Sequence, residues 1–173
     1  MNNVNVFKLL KFPLQLSATA TLHNLGTIVT NRDGFHSERY IYPAGYMASK
    51  ISAALDNPDE KVRWFTEIID NGGDAPVFKI WIEGKEEEAF EGNTPTSPFA
   101  KAFRSPNSVR KVASISGPDA FSLTNPIVIY LLQLSPQAKD LKRYVFHDLD
   151  NNPNVIMFLD SLLDNEVEVE EEV

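Results

Sequence analysis

The amino-acid sequence predicts an α+β fold: a two-layer unit in which short helices pack against a mainly antiparallel sheet. Three observations predict it. Glycine and proline divide the chain into short segments. A turn-like Asp-Asn-Gly-Gly-Asp run separates two segments rich in β-branched and aromatic residues, and Ser-Pro and Asn-Pro pairs precede short apolar runs. A chain of 173 residues buries roughly 70% of its unfolded surface, so we expect a single core without disulfides or a structural metal.

The N-terminal half is predicted to supply most of the strands. Residues 14–29 alternate loosely between apolar and polar side chains and end in a strand entered through Gly26. Residues 47–55 fit either a strand or a helix. Residues 62–69 and 77–82 flank the Asp-Asn-Gly-Gly-Asp turn at 70–74, which predicts a β-hairpin.

The next part of the chain is predicted to supply helices. Residues 83–91 are acidic and irregular. Ser97-Pro98 offers an N-cap followed by proline at the first helical position, which predicts a short helix through Arg104. Asn125-Pro126 repeats that start, and residues 127–134 are apolar on every side, which predicts a buried helix.

Four further elements complete the prediction. Residues 109–115 and 143–147 are typical of strands, and residues 138–141 of a short helical turn. Residues 155–163 are predicted to form a last amphipathic helix before an acidic tail.

The formal net charge of -8 is concentrated in that tail, residues 164–173. Its six acids are Asp164, Glu166, Glu168, Glu170, Glu171 and Glu172. Without them the remainder of the chain carries a formal net charge of only -2. Nucleic-acid affinity comes largely from clustered Lys and Arg, so this near-neutral body argues against direct nucleic-acid binding.

No apolar run approaches the length of a membrane span, and residues 1–12 are too rich in asparagine for a secretory signal. A nuclear or cytoplasmic protein is therefore expected.

Few residues fit a metal or cofactor site. The chain has no cysteine, and His23, His36 and His147 lie too far apart in the sequence to share a helix face. We expect no metal and no cofactor, with an iron site of two histidines and a carboxylate left as a minor alternative to structural or surface histidines. The chain also lacks phosphate-loop, dinucleotide and nucleophile-elbow motifs.

Glu67 and Asp70 are the one carboxylate pair that acid–base catalysis could use. They lie beside the predicted hairpin, and we prefer to interpret them as solvated charges at a strand edge over a catalytic pair. A general acid needs a desolvated pocket that raises its pKa, and nothing in the sequence indicates one. A small hydrolase is therefore the weakest functional hypothesis, and we expect no enzymatic activity.

Two ordered groups of motifs resemble one family. The first group holds an Ile-Tyr-Pro-x-Gly-Tyr sequence at 41–46, and the second holds Gly-Pro-Asp-Ala-Phe at 117–121 followed by Asn125-Pro126. Together they resemble FYRN and FYRC, the phenylalanine- and tyrosine-rich N-terminal and C-terminal motifs of chromatin proteins. Further matching residues of the first group are Leu25–Ile28, Gly34–His36, Glu67–Ile68, Asp70–Gly73 and Pro76–Phe78, and those of the second are Leu134–Pro136 through Tyr144.

The resemblance implies a fold that both motifs build jointly. It implies a single FYR domain over residues 14–147, with FYRN at about 14–104 and FYRC at about 117–147. Residues 148–163 would then be a helical extension, and residues 164–173 an acidic tail. Ser122 stands where the family usually has glycine, Leu141 where cysteine is common, and Phe99 or Phe103 must serve for an expected tryptophan.

The resemblance also implies a function. It indicates a non-enzymatic protein-interaction module of a nuclear, chromatin-associated regulator of transcription. The alternative is an accessory module of a histone methyltransferase or demethylase complex. Members of the family include such enzymes, but the chain carries neither a SET nor a Jumonji segment. The implied partners are chromatin-regulatory proteins, with histones as a further possibility through the acidic tail.

Residue type and sequence position indicate which residues could contact a protein partner. Six aromatic residues could line a partner groove or pack in the core: Phe35, Tyr40, Tyr42, Tyr46, Trp64 and Trp81. Among them we predict Phe35, which lies near a polar turn, to be exposed, and we take Phe35 and Tyr42 as candidate protein-binding residues. The acids Glu166, Glu168, Glu170, Glu171 and Glu172 are candidates for contacts with basic partners.

A physical argument independent of the family joins the two motif groups. A segment of about 35 residues such as 117–147 lies below the size at which a chain normally folds alone. Its apolar helix at 127–134 needs the sheet formed by residues 62–69 and 77–82 for burial. We therefore expect fragments 1–104 and 105–173 to fail to fold apart.

Overall fold

The computed structural model describes residues 5–110 and 115–171, with side chains up to residue 165. It contains one six-stranded sheet and five α-helices. The strands are β1 (Leu14–Gln15), β2 (Ala20–Asn24), β3 (Met47–Ala53), β4 (Lys61–Ile69), β5 (Val77–Ile82) and β6 (Phe90–Gly92). The helices are α1 (Val6–Leu9), α2 (Ser97–Arg104), α3 (Gly117–Ala120), α4 (Pro126–Leu134) and α5 (Pro153–Glu171), and 3-10 turns span Asp33–Phe35, Glu86–Glu88 and Pro136–Asp140.

The sheet is an antiparallel meander in which each strand pairs with the next one along the chain. Its register aligns one row of side chains across the central strands. Leu22 pairs with Ala48, Ala48 with Thr66, and Thr66 with Ile80. Residues that pair directly point to the same face of a sheet, so this row defines the face on which the core forms.

The opposite face of the sheet carries a polar and aromatic row. Trp81 stacks on Phe65, with ring centroids 5.4 Å apart, and the Lys79 ammonium lies 5.3 Å from the centre of the Trp81 ring. The Ser49 hydroxyl lies 2.8 Å from an Arg63 guanidinium nitrogen and 2.7 Å from Nε2 of His23. This face is typical of an antiparallel sheet that packs against the core on its other face only.

Helices α2 and α4 begin at the predicted Ser-Pro and Asn-Pro pairs, although the N-cap of α2 is Thr96 and not Ser97. The Asn125 side chain accepts a hydrogen bond from the Ile127 backbone at the start of α4, and Pro126 occupies the first turn. Ser116 caps α3 through the Asp119 backbone. Gly117 opens that helix against residues 95–96, where a Cβ would collide with the backbone of Pro95. The close approach requires glycine at this position.

A single hydrophobic core lies between the sheet and the helices. The strands contribute Leu22, Ala48, Trp64, Ile68, Phe78 and Ile80, and the helical part of the chain contributes Phe99, Ala102, Phe121, Leu123, Ile127, Val128, Leu131, Leu132, Ala138 and Leu141. Helix α4 is buried at Ile127, Val128, Leu131 and Leu132, as predicted for its all-apolar sequence. The predicted two-layer α+β fold is therefore confirmed.

The predicted central hairpin is confirmed, while its flanks differ in detail. Residues 47–53 form a strand, which resolves the choice between strand and helix. The strand predicted at the end of residues 14–29, entered through Gly26, is wrong: that end makes only an isolated bridge from Thr27 to Ala44, and the strands β1 and β2 precede it. The segment predicted to be irregular ends in β6, which pairs with β5 and escaped prediction because it is only three residues long.

One predicted strand is wrong, and a second lies largely outside the described residues. Residues 143–147 form no strand and do not join the sheet: Val145 donates to the Glu38 carbonyl, and the Arg143 backbone donates to the His36 side chain. The second is the strand predicted at 109–115. Val109 and Ile115 lie outside any strand, and residues 111–114 lie outside the described residues. Both segments alternate like strands, but in the described positions they meet loops instead of a sheet edge.

Helix α5 is longer than predicted. It was expected over residues 155–163 and begins at Pro153, with its backbone helical as far as Glu171. It therefore continues through most of the segment predicted to be an acidic tail. The helix packs against α4 and α1.

Candidate protein-interaction site

Two buried aromatic residues join the N-terminal and C-terminal parts of the chain. The Tyr46 hydroxyl donates a hydrogen bond to the Phe121 carbonyl at 2.6 Å, and both side chains are fully buried. Burial raises the pKa of Tyr46, so its hydroxyl stays protonated and remains a donor. This contact connects residues that lie 75 positions apart in the sequence.

A chain of aromatic rings continues from that contact. Tyr42 meets Phe78 edge-on, with centroids 5.1 Å apart, and Phe78 meets Phe121 edge-on at 5.6 Å. Phe121 in turn meets Phe99 at 6.2 Å, and Phe99 lies 6.0 Å from Trp64. We call Tyr46, Phe78, Phe99 and Phe121 the seam. Edge-to-face contacts of this kind add about 0.5–1.5 kcal/mol each beyond the area they bury.

The prediction that Phe35 is exposed is wrong. Its side chain is fully buried, and the Arg32 guanidinium lies 4.6 Å from the centre of its ring. Arg32 also binds the Asp70 carboxylate with both terminal nitrogens, and Arg143 donates to the Asp33 and His36 carbonyls at 2.6 and 2.9 Å. These arginines satisfy the polar groups of the turn, which allows the ring to pack inward. Phe35 therefore offers no surface to a partner.

Tyr42 keeps part of its surface accessible. The side chain is half-buried, with its ring against Phe78 and a second tyrosine, Tyr40, 6.5 Å away. Desolvation raises the pKa of Tyr42, and a hydrogen bond with Ser37 opposes that rise. The other aromatic candidates Tyr46, Trp64 and Trp81 are buried, so core packing explains most of the aromatic content.

Glu67 and Asp70 do not form a catalytic pair. Glu67 pairs across the strands with Lys79 on the polar face of the sheet. The Arg32 hydrogen bond, helped by the Gly72 backbone, lowers the pKa of Asp70 to about 2. A carboxyl group with so low a pKa is ionised at neutral pH and cannot act there as a general acid.

One cleft of about 530 Å³ also lacks the features of a catalytic site. Its apolar lining includes Leu55, Trp64 and Ile82. Lys85 and Asp56, which also line it, are exposed to solvent and approach each other to 3.9 Å. These solvated charges do not converge on a reacting atom.

The described part of the chain contains neither a membrane-spanning helix nor a cluster of metal-binding side chains. Within residues 5–110 and 115–171, no helix combines the length and the hydropathy that crossing a bilayer requires. The same ranges hold no group of three or more His, Asp or Glu side chains placed to share a metal ion.

The acidic candidates lie at the end of α5. Glu166, Glu168, Glu170 and Glu171 belong to its helical backbone, but their side chains lie outside the described residues. Glu172 lies outside the described residues altogether.

Sequence reasoning missed an apolar surface around α5 and the segment before it. The exposed large hydrophobic side chains in these elements and in the neighbouring α1 and α4 are Phe7, Leu134, Val145, Phe146, Ile156, Met157 and Leu163. A helical projection of residues 153–165 would have shown the signal. It places Ile156 and Leu163 to one side of the buried Val155 and Leu162, so the helix has more apolar surface than one contact with the body can cover.

Comparison with known proteins identifies both halves of the chain. The family described as F/Y-rich N-terminus matches residues 11–71, and the family described as F/Y rich C-terminus matches residues 75–149. The boundary between the matches falls in the turn of the β4–β5 hairpin, so the two regions share one sheet. Neither family is a catalytic domain.

Several named proteins are similar over most of this chain. Transforming growth factor beta regulator 1 of Mus musculus is 30% identical over 143 residues, covering 80% of this chain and 35% of the relative. Histone-lysine N-methyltransferase trr of Drosophila melanogaster is 28% identical, covering 73% of this chain and 6% of the relative. Histone H3-lysine(4) N-trimethyltransferase ATX1 of Arabidopsis thaliana is 30% identical, covering 64% and 11%.

The chain thus spans about a third of the length of the growth-factor regulators and a small fraction of the methyltransferases. Both F/Y-rich regions are present in order, and they build one core through the seam. The chain belongs to the FYRN/FYRC family.

Proposed function

We propose that this chain is a non-enzymatic protein-interaction module of a nuclear, chromatin-associated regulator of transcription, with residues 14–147 acting as one domain. The observation that supports this most is the paired match to both F/Y-rich families, because the matched residues meet in one core. The aromatic residues that define the family are largely used for that core. Binding then depends on the shape of the folded unit and on what it displays at its surface.

The proposal assigns the module to an assembly of chromatin-regulatory proteins. Relatives named as histone methyltransferases contain this region as 6–11% of their length. A region that small within a large enzyme is well suited to holding other parts together, and the same role fits a separate regulatory protein. Tyr42 is proposed as one contact residue, because its ring remains partly accessible.

Purification from a nuclear extract tests this function. A tagged chain of full length is expected to localise to the nucleus and to recover chromatin-regulatory proteins. The matched control is Phe121→Asp, which places a charge in the shared core and abolishes the folded surface. A cytoplasmic location, or equal recovery of the same proteins by the control, would contradict the proposal.

The same experiment separates the second candidate function. The match to methyltransferases supports an accessory module that works within a histone methyltransferase or demethylase complex. Recovery of a SET or Jumonji protein in stoichiometric amount would favour this candidate. Recovery of transcriptional cofactors without such an enzyme would favour the regulator.

The acidic residues Glu166, Glu168, Glu170, Glu171 and Glu172 are proposed to attract basic segments of the partner, including those of histones. Attraction between exposed charges is screened by salt over about 8–10 Å near physiological ionic strength. Deletion of residues 164–173 is therefore expected to weaken histone pull-down at low salt and to have little effect at high salt. Unchanged histone binding at low salt would show that residues 164–173 do not contribute to it.

A further inference from the structure

Helix α5 has one apolar face that the body of the protein covers. Val155 is 2% exposed and Leu162 is 8% exposed, and Phe158 packs against the core. These positions recur at intervals of three and four residues, as expected for one face of a helix. That face holds α5 against α4 and α1.

A second apolar stripe lies beside the covered face. Ile156 is 43% exposed and Leu163 is 42% exposed. Residues seven positions apart are offset by only about 20° around a straight helix, so both side chains point in nearly the same direction. This is the spacing with which one helix contacts another along a heptad seam.

Exposed carboxylates border this second stripe. Asp160 follows Ile156 by one helical turn, and Asp164 directly follows Leu163. We call Ile156, Asp160, Leu163 and Asp164 the docking stripe. Apolar positions flanked by one sign of charge select partners whose flanking residues carry the opposite sign.

The charge of the whole C-terminal segment strengthens that selection. Residues 148–173 contain nine of the 24 acids and none of the 16 Lys and Arg residues, which leaves residues 1–147 with a net charge of +1. Acids near the C-terminal end of a helix also meet the negative end of its dipole, and like charges four residues apart repel by a few tenths of a kcal/mol. A basic partner would remove both penalties, whereas a second copy of this helix would add to them.

We propose that the docking stripe binds a basic amphipathic helix of a partner protein, with apolar residues at heptad positions and Lys or Arg on the side that faces Asp160 and Asp164. The inference rests on the proposed function as a protein-interaction module and names the chemistry of one partner. Ile156 and Leu163 supply the apolar contact. Asp160 and Asp164 supply complementary charge and set the orientation of the partner helix.

A synthetic helix of defined sequence tests the proposal. The probe is a fluorescent peptide of about three heptads with Leu at the two apolar positions and Lys at the flanking positions. Its binding to the full chain is followed by anisotropy. We expect saturable binding that weakens as salt rises from about 50 mM to about 300 mM, and no binding of the analogue in which Glu replaces Lys.

Substitutions on α5 locate the binding surface. The double variant Ile156→Ser and Leu163→Ser is expected to weaken peptide binding by about tenfold or more, since it removes the apolar contact. Met157→Ser is the control for the apolar contact, because Met157 is 70% exposed but lies about 100° from Ile156 round the same helix, next to Asp164. Circular dichroism should show that both variants keep the native helix content.

Two outcomes would overturn the inference. One is equal binding of the basic peptide by the double variant and by the unmodified chain. The other is sedimentation of the chain as a dimer that the double variant abolishes, since the stripe would then be occupied by a second copy. In either case, recovery of nuclear chromatin regulators by the double variant would leave the proposed function standing.

Discussion

Residues 11–71 and residues 75–149 contribute different layers to the same core. The first region supplies strands β1–β4, and within its described part its only helical segment is the 3-10 turn Asp33–Phe35. The second region supplies β5 and β6 together with helices α2, α3 and α4. Neither region has both a complete sheet and the helices that cover it. The difference shows why the two F/Y-rich families occur together here: each buries the apolar face of the other.

Cutting the chain in the turn between the two regions is the strongest test of this comparison. Fragments 1–72 and 73–173 are expected to be unfolded or aggregated when expressed alone, because the cut separates β4 from β5 and the helices from most of the sheet. Mixing the two should restore the native circular dichroism spectrum and a cooperative thermal transition. A cooperative melt of either fragment alone would refute the shared core.

Removal of the central ring of the seam should have the next largest effect. Phe121→Ala is expected to lower the free energy of unfolding by about 3–5 kcal/mol, since it leaves a cavity between the rings of Phe78 and Phe99. Urea unfolding measures the change. Phe146→Ala is the control, because Phe146 is 48% exposed and should cost much less. Equal losses in the two variants would mean that the seam has no special importance.

The hydrogen bond across the seam should matter less than the ring. Tyr46→Phe leaves the buried Phe121 carbonyl without the Tyr46 donor and should cost about 1–2 kcal/mol of unfolding free energy. The comparison variant is Tyr130→Phe, in a half-buried ring of α4, for which we expect a change within about 0.5 kcal/mol. A Tyr46→Phe variant as stable as the unmodified protein would show that the hydroxyl contributes nothing to joining the regions.

Acidification should weaken the second connection between the regions, where His36 accepts from the Arg143 backbone. Desolvation, then Arg143, lowers the pKa of His36 from its ordinary value of 6.5, while Asp33 opposes the shift. Desolvation, then Arg63, also lowers the pKa of His23, against Glu83. The unfolded chain therefore binds more protons than the folded chain below about pH 6.5, so stability should fall as pH decreases from there.

Thermal melts at pH 7.5 and pH 5.5 measure this effect. The melting temperature should be lower at pH 5.5, and His36→Gln should reduce the difference, because glutamine does not titrate in that range. A stability that rises on acidification would contradict the assigned pKa directions. A separate loss is expected at much lower pH, where Asp70 with a pKa of about 2 becomes protonated and releases Arg32.

The smallest expected effect is a gain of stability next to the seam. Ser122 follows Phe121 and has a φ of +59°, a left-handed conformation that costs a residue with a Cβ roughly 1 kcal/mol relative to glycine. Ser122→Gly is therefore expected to raise the free energy of unfolding by about 0.5–1 kcal/mol. Ser122→Ala is the matched control and should show no gain, since alanine keeps the Cβ. A loss of stability in Ser122→Gly would mean that the serine hydroxyl outweighs the backbone strain.

Local signals predicted much of this structure. The hairpin of β4 and β5 follows from alternating residues around a glycine-rich turn, and the start of α4 follows from its Asn-Pro cap and proline pair. Helix α2 begins at the predicted Ser-Pro pair, but its N-cap is Thr96. Each of these signals acts within a few residues. The family resemblance was also recoverable from short motifs, and it implied a shared fold that the structure bears out.

Predictions that depended on distant contacts were less successful. Phe35 lies in a polar segment, and only the approach of Arg32, Asp70 and Arg143 satisfies that segment and lets the ring turn inward. Residues 143–147 alternate like a strand but meet the loop at 36–38. A candidate site chosen from residue type and local polarity therefore included a fully buried ring and overlooked the exposed side of α5.

The sequence by itself determined where the chain turns, where its main helices begin, how its charge divides and to which family it belongs. Those properties depend on backbone preferences and side-chain chemistry within a few residues. The tertiary structure alone decided which aromatic rings became core and which apolar stripe of α5 stayed uncovered. The physical reason is that burial and strand pairing require a partner surface, and that surface comes from residues distant in the sequence, such as Tyr46 and Phe121, which lie 75 positions apart.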